Sequence, residues 1–368
     1  MKSFLIKTLG CKVNSYESEF IRNLLIENEY VEVDKNANIC IINTCTVTNT
    51  ADNKSKQVIN NIKKNNPNAI VVAMGCFCQF RNSEISSLID ADIIIGNKDK
   101  SKILDYIKEF ELNHKRIIKF YDMNDVDFED MEVKKYAHHH RAFIKIEDGC
   151  NNFCTYCIVP YTRGRERSRL PEVIIQEAKD ALAEGHKELT LLGQNVDSYG
   201  KDFKDRNYRL ADLLTDINNL SGEFRIRFVT SYPTDITDEL IQTVVKLDKV
   251  CEYFHIPMQS GSSEVLKKMN RRYDRETYAK IVEKIRKMVP DVTITSDFIA
   301  GFPGETEEQF QETLTAIDEF ELDYSNVAIY SPREKTVAAK WVDKFIPDDV
   351  KNERFQRLNK KVQENCLK

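Results

Sequence analysis

Three cysteines, Cys150, Cys154 and Cys157, form a C-x₃-C-x₂-C spacing in a segment that follows the apolar run Ala142 to Ile146. Thiolate is the ligand that iron–sulfur clusters require. A four-residue step followed by a three-residue step lets one short loop reach three corners of a cubane. Because the motif has three ligands, one iron would keep an open position for a substrate or cofactor. The spacing therefore predicts a redox cluster with an open iron.

Structural zinc is an alternative occupant of the same loop. Zinc sites of that kind are closed by four protein ligands, whereas the loop offers three. A fourth ligand could come from the histidine triplet that precedes the loop, His138, His139 and His140. The number of thiols favours the cluster, and we expect the histidines to be solvated linker residues.

The overall composition limits the partners that such a site can serve. The chain has 368 residues, enough for two domains with sizeable cores, and a formal net charge of −5. A nucleic-acid partner would therefore need a local basic patch, because the global field is mildly repulsive to phosphate. Ten cysteines without a signal peptide or a long apolar run indicate a soluble cytoplasmic protein with no membrane contact. In a reducing compartment such cysteines serve as metal ligands rather than as disulfides.

Residues 1–120 are predicted to form an α/β domain with a doubly wound parallel sheet, because short apolar strands alternate with amphipathic helices. The helices would then cover both faces of the sheet. The expected strands are Ser3–Leu9, Ile39–Ile42, Ala69–Met74, Ile93–Ile95 and Arg116–Phe120, and the expected helices lie near Ser15–Glu27, Ala51–Lys64 and Lys98–Phe110.

One cysteine follows each of the first three predicted strands: Cys11, Cys45 and Cys76. In open parallel sheets, ligands bind beyond the carboxyl ends of the strands. We therefore expect these thiols to converge in space and to form a second three-thiolate site with an open corner. Burial in the core is the alternative role of a cysteine, and it suits Cys40, which lies within a strand. Cys78 is a competing ligand, but the strand-end position favours Cys76.

The remaining chain divides into a linker, a second α/β domain and a closing helix. Residues 121–140 carry clustered acids and few apolar side chains, which predicts a surface connection. Residues 141–347 contain about six strand–helix units, which predicts a partial parallel barrel with its site at the carboxyl ends of the strands. Residues 348–368 are highly charged and predict a solvated helix. In the second domain the expected strands are Ala142–Ile146, Glu188–Leu192, Arg225–Val229, Tyr253–Ile256, Thr293–Ile299 and Asn326–Tyr330, and the expected helices lie near Pro171–Glu184, Leu210–Asn219, Asp235–Lys246, Arg275–Lys287 and Glu305–Phe320.

Short polar motifs follow three strands of the second domain, at the ends where a barrel places its site. Glycine lets a ligand approach the backbone, and side-chain amides can hydrogen-bond to it. A single motif of this kind is usually only a turn, but the order of these motifs behind the cysteine loop makes the set specific. The motifs are Gly193-Gln194-Asn195, His255 to Ser262 and Asp297 to Thr306.

Two clusters of basic side chains lie beside these motifs. They offer the local positive charge that an acidic chain needs to contact RNA phosphates. A solvated helix face or a contact with a cofactor carboxylate is the alternative. We expect RNA contact at the barrel mouth through Arg163, Arg165, Arg167, Arg169, Lys267, Lys268, Arg271 and Arg272.

The cysteine loop, with the aromatic Tyr156 before its last cysteine, resembles the radical S-adenosylmethionine (SAM) superfamily. With the three strand-end cysteines added, the chain resembles the radical-SAM methylthiotransferases over nearly its whole length. The matching segments are Leu9 to Asn14, Asn43 to Cys45, Gly75-Cys76, the loop from Cys150 to Cys157, Val159 to Gly164 and His255 to Gly261.

The resemblance implies a mechanism with two [4Fe–4S] clusters. The cluster of the 150–157 loop would receive an electron and split SAM, which releases a 5′-deoxyadenosyl radical. The cluster of the strand-end cysteines would hold sulfur, receive a methyl group from another SAM and deliver the methylthio group. No catalytic side chain is expected beyond the cluster ligands. Contacts with SAM are expected from Tyr156, Gly193, Gln194, Asn195, Ser231, His255, Gln259, Asp297, Ile299 and Gly301.

Within the family, Gly10 to Asn14 and Arg163 to Arg167 look most like the branch that methylthiolates C2 of N6-threonylcarbamoyladenosine. That base lies at tRNA position 37, beside the anticodon, where a single-stranded base can be splayed into a pocket and stacked. The alternatives are isopentenyladenosine in tRNA and an aspartate of a ribosomal protein. The resemblance also implies an electron donor such as flavodoxin or ferredoxin, and we expect a monomer.

The family normally ends in a small β-barrel RNA-binding module, the TRAM domain, and nothing after Lys368 supplies it. Either the chain is truncated, or the protein binds tRNA through its basic loops alone. Two further functions stay open on the sequence. One is a radical-SAM enzyme whose N-terminal cluster only relays electrons, and the other is a non-catalytic zinc-binding RNA module. Sulfur in the product would exclude the first, and bound iron would exclude the second.

Overall fold

The computed structural model describes residues 2–136 and 140–366, so His138 and His139 of the predicted linker lie outside the described residues. The chain divides into two compact units. The first comprises Met1–Cys150 with Ile158–Leu192, and the second comprises Asn151–Cys157 with Gly193–Lys368. This division does not follow the predicted linker, and the domain limits given above stay predictions.

The first unit is built on a six-stranded sheet in which every pairing between neighbouring strands is parallel. The strands lie in the order β2-β1-β3-β4-β5-β6. Strand β2 therefore lies on one side of β1, and β3 and the later strands lie on the other side. Five of the strands match the prediction, and the two-residue β2 was not predicted. The strands are β1 (Ser3–Thr8), β2 (Val31–Glu32), β3 (Ile39–Thr44), β4 (Ile70–Gly75), β5 (Ile93–Ile95) and β6 (Ile117–Lys119).

Helices cover both faces of this sheet, which confirms the doubly wound arrangement. Successive side chains of a strand point to opposite faces: Ile41 packs in one hydrophobic cluster, while Ile42 packs in another. The first cluster includes Leu25, from the helix after β1, and the second includes Ile59, from the helix after β3. The helices are α1 (Lys12–Glu27), α2 (Asn49–Asn65), α3 (Cys76–Phe80), α4 (Ile85–Leu88) and α5 (Ile103–Asn113), the last preceded by a 3-10 turn at Lys100–Lys102.

The segment predicted as a solvated linker is packed within the first unit. Met131, Val133 and Tyr136 are buried. The Tyr136 hydroxyl donates to the carbonyl of Phe143 at 2.7 Å and to a carboxylate oxygen of Glu177 at 2.8 Å. The many acidic residues lower the mean hydropathy of this segment, although apolar side chains lie between them. The sequence therefore indicated a surface connection.

The first unit also contains a parallel strand pair and a short antiparallel pair. Strand β7 (Ala142–Lys145) pairs with β10 (Glu188–Leu192), and β8 (Glu147–Asp148) pairs with β9 (Arg167–Ser168). Both longer strands agree with the prediction. The helices of this part are α6 (Val159–Thr162) and α7 (Pro171–Ala183).

The second unit continues the alternation of strands and helices. Strands β12, β13 and β14 form a parallel sheet, and an isolated parallel bridge joins Ile226 of β11 to Val250. The four strands and five helices that the sequence predicts between residues 210 and 368 are all present. The elements are β11 (Arg225–Phe228), β12 (Tyr253–His255), β13 (Thr293–Ala300), β14 (Tyr324–Ile329), α8 (Leu210–Asn218), α9 (Asp238–Lys246), α10 (Ser263–Lys268), α11 (Arg275–Met288), α12 (Glu307–Glu319) and α13 (Asp348–Cys366).

The fold class is therefore α/β with parallel sheets, as predicted. Among residues 2–136 and 140–366, no helix has the length and apolar content needed to cross a bilayer.

Candidate cluster and cofactor sites

The three strand-end cysteines lie at the carboxyl ends of neighbouring strands. Cys11 follows β1, Cys45 follows β3 and Cys76 follows β4, and these strands are adjacent in the sheet. Burial, with smaller contributions from the nearby thiols of Cys76 and Cys11, raises the pKa of the Cys45 thiol to about 11. The three thiols are thus within electrostatic reach of one another, at the switch point where open α/β sheets bind ligands.

Two glycines with left-handed backbone conformations allow this convergence. Gly10 has a φ of +99°, and a Cβ placed there would lie 2.7 Å from Cβ and 2.8 Å from Sγ of Cys45. Gly75 has a φ of +101°, and a Cβ there would lie 2.6 Å from the Asn43 side-chain oxygen. Only glycine adopts such angles at low cost and leaves the space that each neighbour needs.

Side-chain amides tie the strand ends together behind the thiols. The Asn14 amide donates to the carbonyls of Leu9 at 2.7 Å and of Thr44 at 2.9 Å, so it bridges the ends of β1 and β3. The Asn43 amide donates to the Asn14 carbonyl at 2.9 Å. The Thr44 hydroxyl donates to the Met74 carbonyl at 2.6 Å, which links β3 to β4. Since these groups are buried, their hydrogen bonds fix the loops that carry the cysteines.

The structure separates Cys76 from its rival, Cys78. Cys78 is fully buried among apolar side chains, and this burial raises its pKa to about 12. Cys76 is partly exposed, and the Asn97 amide donates to its sulfur at 3.4 Å. A thiol in an apolar core resists ionisation, whereas a ligand must be a thiolate. These surroundings support Cys76 as the ligand.

A buried network of charges lies beside the same thiols. Arg163, only 2% exposed, donates to Glu17 at 3.0 Å and to Asp148 at 2.9 Å. Lys100 pairs with Glu17, and Lys145 lies 3.6 Å from both carboxylates. Burial opposes ionisation of Glu17, but Arg163, Lys100 and Lys145 outweigh it and hold the Glu17 pKa well below its usual range.

The same network places positive charge next to the cysteines. Burial raises the pKa of the Cys11 thiol, and the charge of Arg163 acts in the opposite direction and favours the thiolate. Burial disfavours the charge of Arg163, but Glu17, Cys76 and Asp148 together raise the Arg163 pKa well above its ordinary value. Three anionic ligands at this position would therefore meet a fixed cation rather than an apolar wall.

The donor set at the strand ends consists of free thiols. None of the ten cysteines is in a disulfide. Within the part of the chain that the structure describes, no group of three cysteine, histidine or acidic side chains has the geometry to hold one metal ion. A cubane places each ligand on a different iron, so its thiolates stand farther apart than the ligands of one ion do.

The second cysteine motif begins in the first unit and continues into the second. The Cys150 amide donates to the Gly164 carbonyl at 3.1 Å. In the second unit, the Thr155 amide donates to the Met269 carbonyl at 3.0 Å, and the Asn270 side chain donates to the Phe153 carbonyl at 3.0 Å. The loop that carries Cys154 and Cys157 is therefore held by the residues that follow α10.

Several residues expected to contact SAM meet around the carboxyl end of β12. The two ring nitrogens of His255 lie 2.9 Å from the Thr295 hydroxyl and 3.1 Å from an Asp297 carboxylate oxygen. The backbone amide of Gln259 donates to the backbone carbonyl of Asp297 at 2.8 Å, and the backbone amide of Ile299 donates to the backbone carbonyl of Gln259 at 2.9 Å. Gln259 has a φ of +75°, so this connection is locally strained.

His255 also sets the charge of its partner. Burial opposes ionisation of Asp297, but the hydrogen bond and charge interaction with His255 lower the Asp297 pKa below its ordinary value. The Asn326 amide adds a bond to the same carboxylate at 2.8 Å. Tyr156 and Ile299 pack against the same hydrophobic cluster. The structure thus joins His255, Gln259, Asp297 and Ile299 directly, and the contacts with SAM stay predictions.

The other predicted SAM residues lie on neighbouring loops of the second unit. Gly193 and Gln194 directly follow the last residue of β10, and the Asn195 amide donates to Asp235 at 2.7 Å. The Ser231 amide donates to the His255 carbonyl at 3.1 Å. Ser231 therefore connects the loop after β11 with the residues at the end of β12.

Asp197 is a carboxylate in this region that the sequence interpretation missed. It is 7% exposed, and it accepts a hydrogen bond from the Ser231 hydroxyl at 3.2 Å. Its second oxygen has no hydrogen-bond partner among the described residues. Burial, with some contribution from Asp235, raises the Asp197 pKa to about 7. An aspartate in a polar loop gives no sequence signal that it will be buried.

The sequence interpretation also missed the interior contacts of the closing helix. Arg354 of α13 donates to the carbonyl of Glu305 at 3.0 Å and to its carboxylate at 2.8 Å, and the Gly301 amide donates to the same carboxylate at 3.1 Å. A Cβ at Gly301 would lie 2.4 Å from Cγ of Lys351. One face of helix α13, which was expected to be solvated, therefore packs against the loop that contains Gly301.

The predicted RNA-binding residues divide by burial. Arg163, Arg169 and Arg271 are buried: Arg169 pairs with Glu177 and with Asp130 at 2.7 Å. Their burial does not fit direct phosphate contact, because their guanidinium groups are already engaged inside the protein. The sequence could not distinguish them from exposed neighbours. Arg165, Lys267, Lys268 and Arg272 are exposed and Arg167 is partly exposed, so the prediction is retained for these residues.

Comparison with known proteins defines the class. Residues 144–317 match the family model described as Radical SAM superfamily, and residues 3–96 match Uncharacterized protein family UPF0004. The structure resembles the radical SAM methyltransferase TsrM from Kitasatospora setae, with a TM-score of 0.66 at 13% identity, over 92% of this chain and 77% of that one. It also resembles OxsB, a cobalamin-dependent radical SAM enzyme, with a TM-score of 0.59 at 10% identity, over 96% of this chain and 56% of that one. These are radical SAM folds.

Curated relatives narrow the family. A tRNA-2-methylthio-N(6)-dimethylallyladenosine synthase of Clostridium botulinum (strain Langeland / NCTC 10281 / Type F) is 44% identical over 99% of this chain and 82% of its own length. A protein of the same name from Staphylococcus haemolyticus (strain JCSC1435) is 42% identical over 98% of this chain and 71% of its own length. The chain belongs to the radical-SAM methylthiotransferase family. Membership brings SAM and a [4Fe–4S] cluster as cofactors.

The comparison corrects the predicted substrate. The prediction of N6-threonylcarbamoyladenosine was wrong, because these relatives are named for N(6)-dimethylallyladenosine. The segments that supported it, Gly10 to Asn14 and Arg163 to Arg167, contain residues that shape the cysteine site and its charge network. Residues such as Asn14 and Arg163 have interior partners, so they carry little information about the group attached to N6 of the base.

Proposed function

We propose that this protein inserts a methylthio group at C2 of N6-dimethylallyladenosine in tRNA. This nucleoside is the isopentenyladenosine named above as an alternative. The observation that carries the proposal is 44% identity over 99% of the chain to a relative named for that product. The two sets of three cysteines support it, since each offers three thiolates and leaves one iron open.

The residues that would hold the cofactors follow from the sites described above. Cys150, Cys154 and Cys157 would carry the cluster that binds SAM, and Cys11, Cys45 and Cys76 would carry a second [4Fe–4S] cluster that holds the sulfur. When bound, the cluster of Cys150, Cys154 and Cys157 would supply the reductive cleavage of SAM. The C2–H bond of adenine is neither acidic nor electrophilic enough for ordinary acid–base catalysis, so radical chemistry suits the substrate.

The protein's own groups orient and electrostatically balance these ligands. Asn14 fixes the ends of β1 and β3, and Asn97 donates to Cys76. Arg163 favours the Cys11 thiolate through its charge. In the second unit, His255 lowers the Asp297 pKa and so keeps this carboxylate ionised. An ionised carboxylate is suited to accept hydrogen bonds from an amine or hydroxyl of a bound cofactor.

Analysis of nucleosides from tRNA tests the proposal. Cells that lack this gene should accumulate N6-dimethylallyladenosine and lose its 2-methylthio derivative, and expression of the gene should restore the derivative. A triple variant that replaces Cys150, Cys154 and Cys157 with alanine should fail to restore it. Loss of 2-methylthio-N6-threonylcarbamoyladenosine with an unchanged dimethylallyl derivative would contradict the proposal. Cytoplasmic location, a monomeric state and an electron donor of the flavodoxin or ferredoxin class are further predictions.

A further inference from the structure

Arg271 is a buried cation with a hydrogen bond to a predicted cluster ligand. Its side chain is 9% exposed, and one terminal nitrogen donates to Sγ of Cys154 at 3.5 Å. The other terminal nitrogen donates to the Pro257 carbonyl at 2.6 Å, and Nε donates to the Tyr273 hydroxyl at 2.6 Å. All three nitrogens of the guanidinium group are therefore engaged.

Two aromatic rings fix the plane of this guanidinium group. Its central carbon lies 4.4 Å from the centroid of the Tyr232 ring and 4.9 Å from that of Tyr273. The Tyr273 hydroxyl lies 3.0 Å from the Met258 carbonyl, so the ring itself is held in place. A planar group with this many contacts has little freedom, and its bond to Cys154 is set by the fold.

Arg271 differs from the other buried arginines of the site region in its partners. Arg163 pairs with Glu17 and Asp148, and Arg354 pairs with Glu305. Within the described chain, by contrast, no carboxylate forms an ion pair with Arg271; its partners are a thiol, a phenol and a carbonyl. A buried cation that no carboxylate contacts is costly, and the charge of Asp297 acts on Arg271 only from beyond ion-pair distance. Negative charge that arrives with three thiolates would balance it.

We infer that Arg271 is a positioning residue for the SAM-binding cluster: it donates a charge-assisted hydrogen bond to Cys154 and makes the cluster easier to reduce. Hydrogen bonds to cluster sulfurs and nearby charge are among the factors that set the reduction potential. Reduction adds one negative charge to the cluster, and a fixed cation beside one ligand favours that product. The inference rests on the assignment of a cluster to the Cys150–Cys157 loop within the proposed function, but not on the identity of the tRNA base.

A redox titration of the loaded protein tests this role. The full chain is reconstituted anaerobically with iron and sulfide, titrated with dithionite and followed by electron paramagnetic resonance. The signal of the SAM-binding cluster is the one that disappears in the variant with Cys150, Cys154 and Cys157 replaced by alanine. In Arg271→Met, we expect the equilibrium constant for one-electron reduction to fall at least tenfold, which is a shift of about 59 mV to more negative potential.

Matched variants separate this role from a merely structural one. Arg272→Met removes the exposed neighbouring cation and should leave the potential unchanged. Arg271→Lys keeps the charge but lacks the planar fork of the guanidinium group, so it should lower the potential by less than Arg271→Met does. If Arg271→Met does not load iron, Arg271→Lys decides the matter. An unchanged potential in Arg271→Met, or in Arg271→Lys where only that variant loads iron, would overturn the inference.

The outcome is independent of the proposed substrate. A lowered potential in Arg271→Met, together with a nucleoside analysis that shows a different base, would retain the role of Arg271 and reject the proposed function. An unchanged potential together with the expected nucleoside would do the reverse.

Discussion

Gly10 and Cys45 lie so close together that no side chain fits between them. A Cβ at Gly10 would come within 2.7 Å of Cβ and 2.8 Å of Sγ of Cys45, and Gly10 also has a φ of +99°. The end of β1 and the end of β3 therefore approach each other closely at Cys45, one of the three cysteines proposed to hold the second cluster.

Replacement of Gly10 by alanine should remove the second cluster and spare the first. The added methyl group must displace Cys45 or the β1 loop, and either shift separates the three thiols. Iron should fall from about eight to about four atoms per reconstituted chain, measured by chemical analysis of iron and sulfide. Gly222→Ala is the control, because Gly222 shares the positive φ (106°) but a Cβ there meets nothing within 4 Å. Equal iron in both variants would show that the contact with Cys45 is unimportant.

Cys76→Ala and Cys78→Ala should behave differently. Cys76 is partly exposed and accepts a hydrogen bond from Asn97, whereas burial raises the Cys78 pKa to about 12. We expect Cys76→Ala to lose about half of the iron. Cys78→Ala should keep its iron and lose about 1 kcal/mol of unfolding free energy through a small core cavity. Iron loss confined to Cys78→Ala would exchange the two assignments.

Arg163→Met should destabilise the first unit strongly. It removes the closest cation of the Asp148 carboxylate and one of the three cations around Glu17, and breaking a buried ion pair costs about 3–5 kcal/mol. The folded-state pKa of Glu17 is depressed, so the stability it contributes is present above its unfolded pKa and is lost as the pH falls. Urea unfolding should therefore show the largest difference from the wild type near pH 7 and a smaller one near pH 3. Arg165→Met, at an exposed position, should match the wild type throughout.

Asp197→Asn should stabilise the protein at alkaline pH. The folded-state pKa of Asp197 is raised to about 7, so the native state holds a proton that the unfolded chain releases near pH 4. Wild-type stability should thus fall as the pH rises from about 4 to about 7 and then level off. Urea unfolding should show that Asp197→Asn is more stable than the wild type at pH 8 and that the difference shrinks toward pH 4. Asp291→Asn, at an exposed left-handed position that asparagine tolerates, should show no such trend.

Lys267→Met and Lys268→Met should weaken tRNA binding in a salt-dependent manner. Both side chains are exposed at the end of α10. Removal of a phosphate contact should lower the slope of log affinity against log salt by about 1 for each lysine. Filter binding of tRNA at several salt concentrations measures this slope. Lys280→Met, an exposed position in the middle of α11, is the control and should leave the slope unchanged.

The strand-end positions of three cysteines could be predicted because they depend on local patterns. Alternating strands and helices indicate a parallel sheet, and a parallel sheet brings its carboxyl ends to one edge. Cys11, Cys45 and Cys76 follow strands whose bounds differ from the predicted ones by at most two residues. The C-x₃-C-x₂-C loop required even less, since its ligands lie within eight residues.

Long-range electrostatics could not be predicted in the same way. Glu17 and Arg163 are separated by 146 residues in the sequence but form an ion pair. Arg271 and Arg272 are adjacent and identical in type, yet the first is buried against Cys154 and the second is exposed. Patterns of charge show where basic residues occur but not which of them turn inward, so burial decided between interior and RNA-facing roles.

Hydrogen bonds from Asn14 and Thr44 join the ends of β1, β3 and β4 through protein atoms. The polypeptide alone therefore sets the spacing of the loops that carry Cys11, Cys45 and Cys76. Under the proposed function, we expect this site to take up its cluster after folding is complete. An enzyme that consumes sulfur in each round of catalysis could then be replenished repeatedly in place, with no need to unfold between rounds.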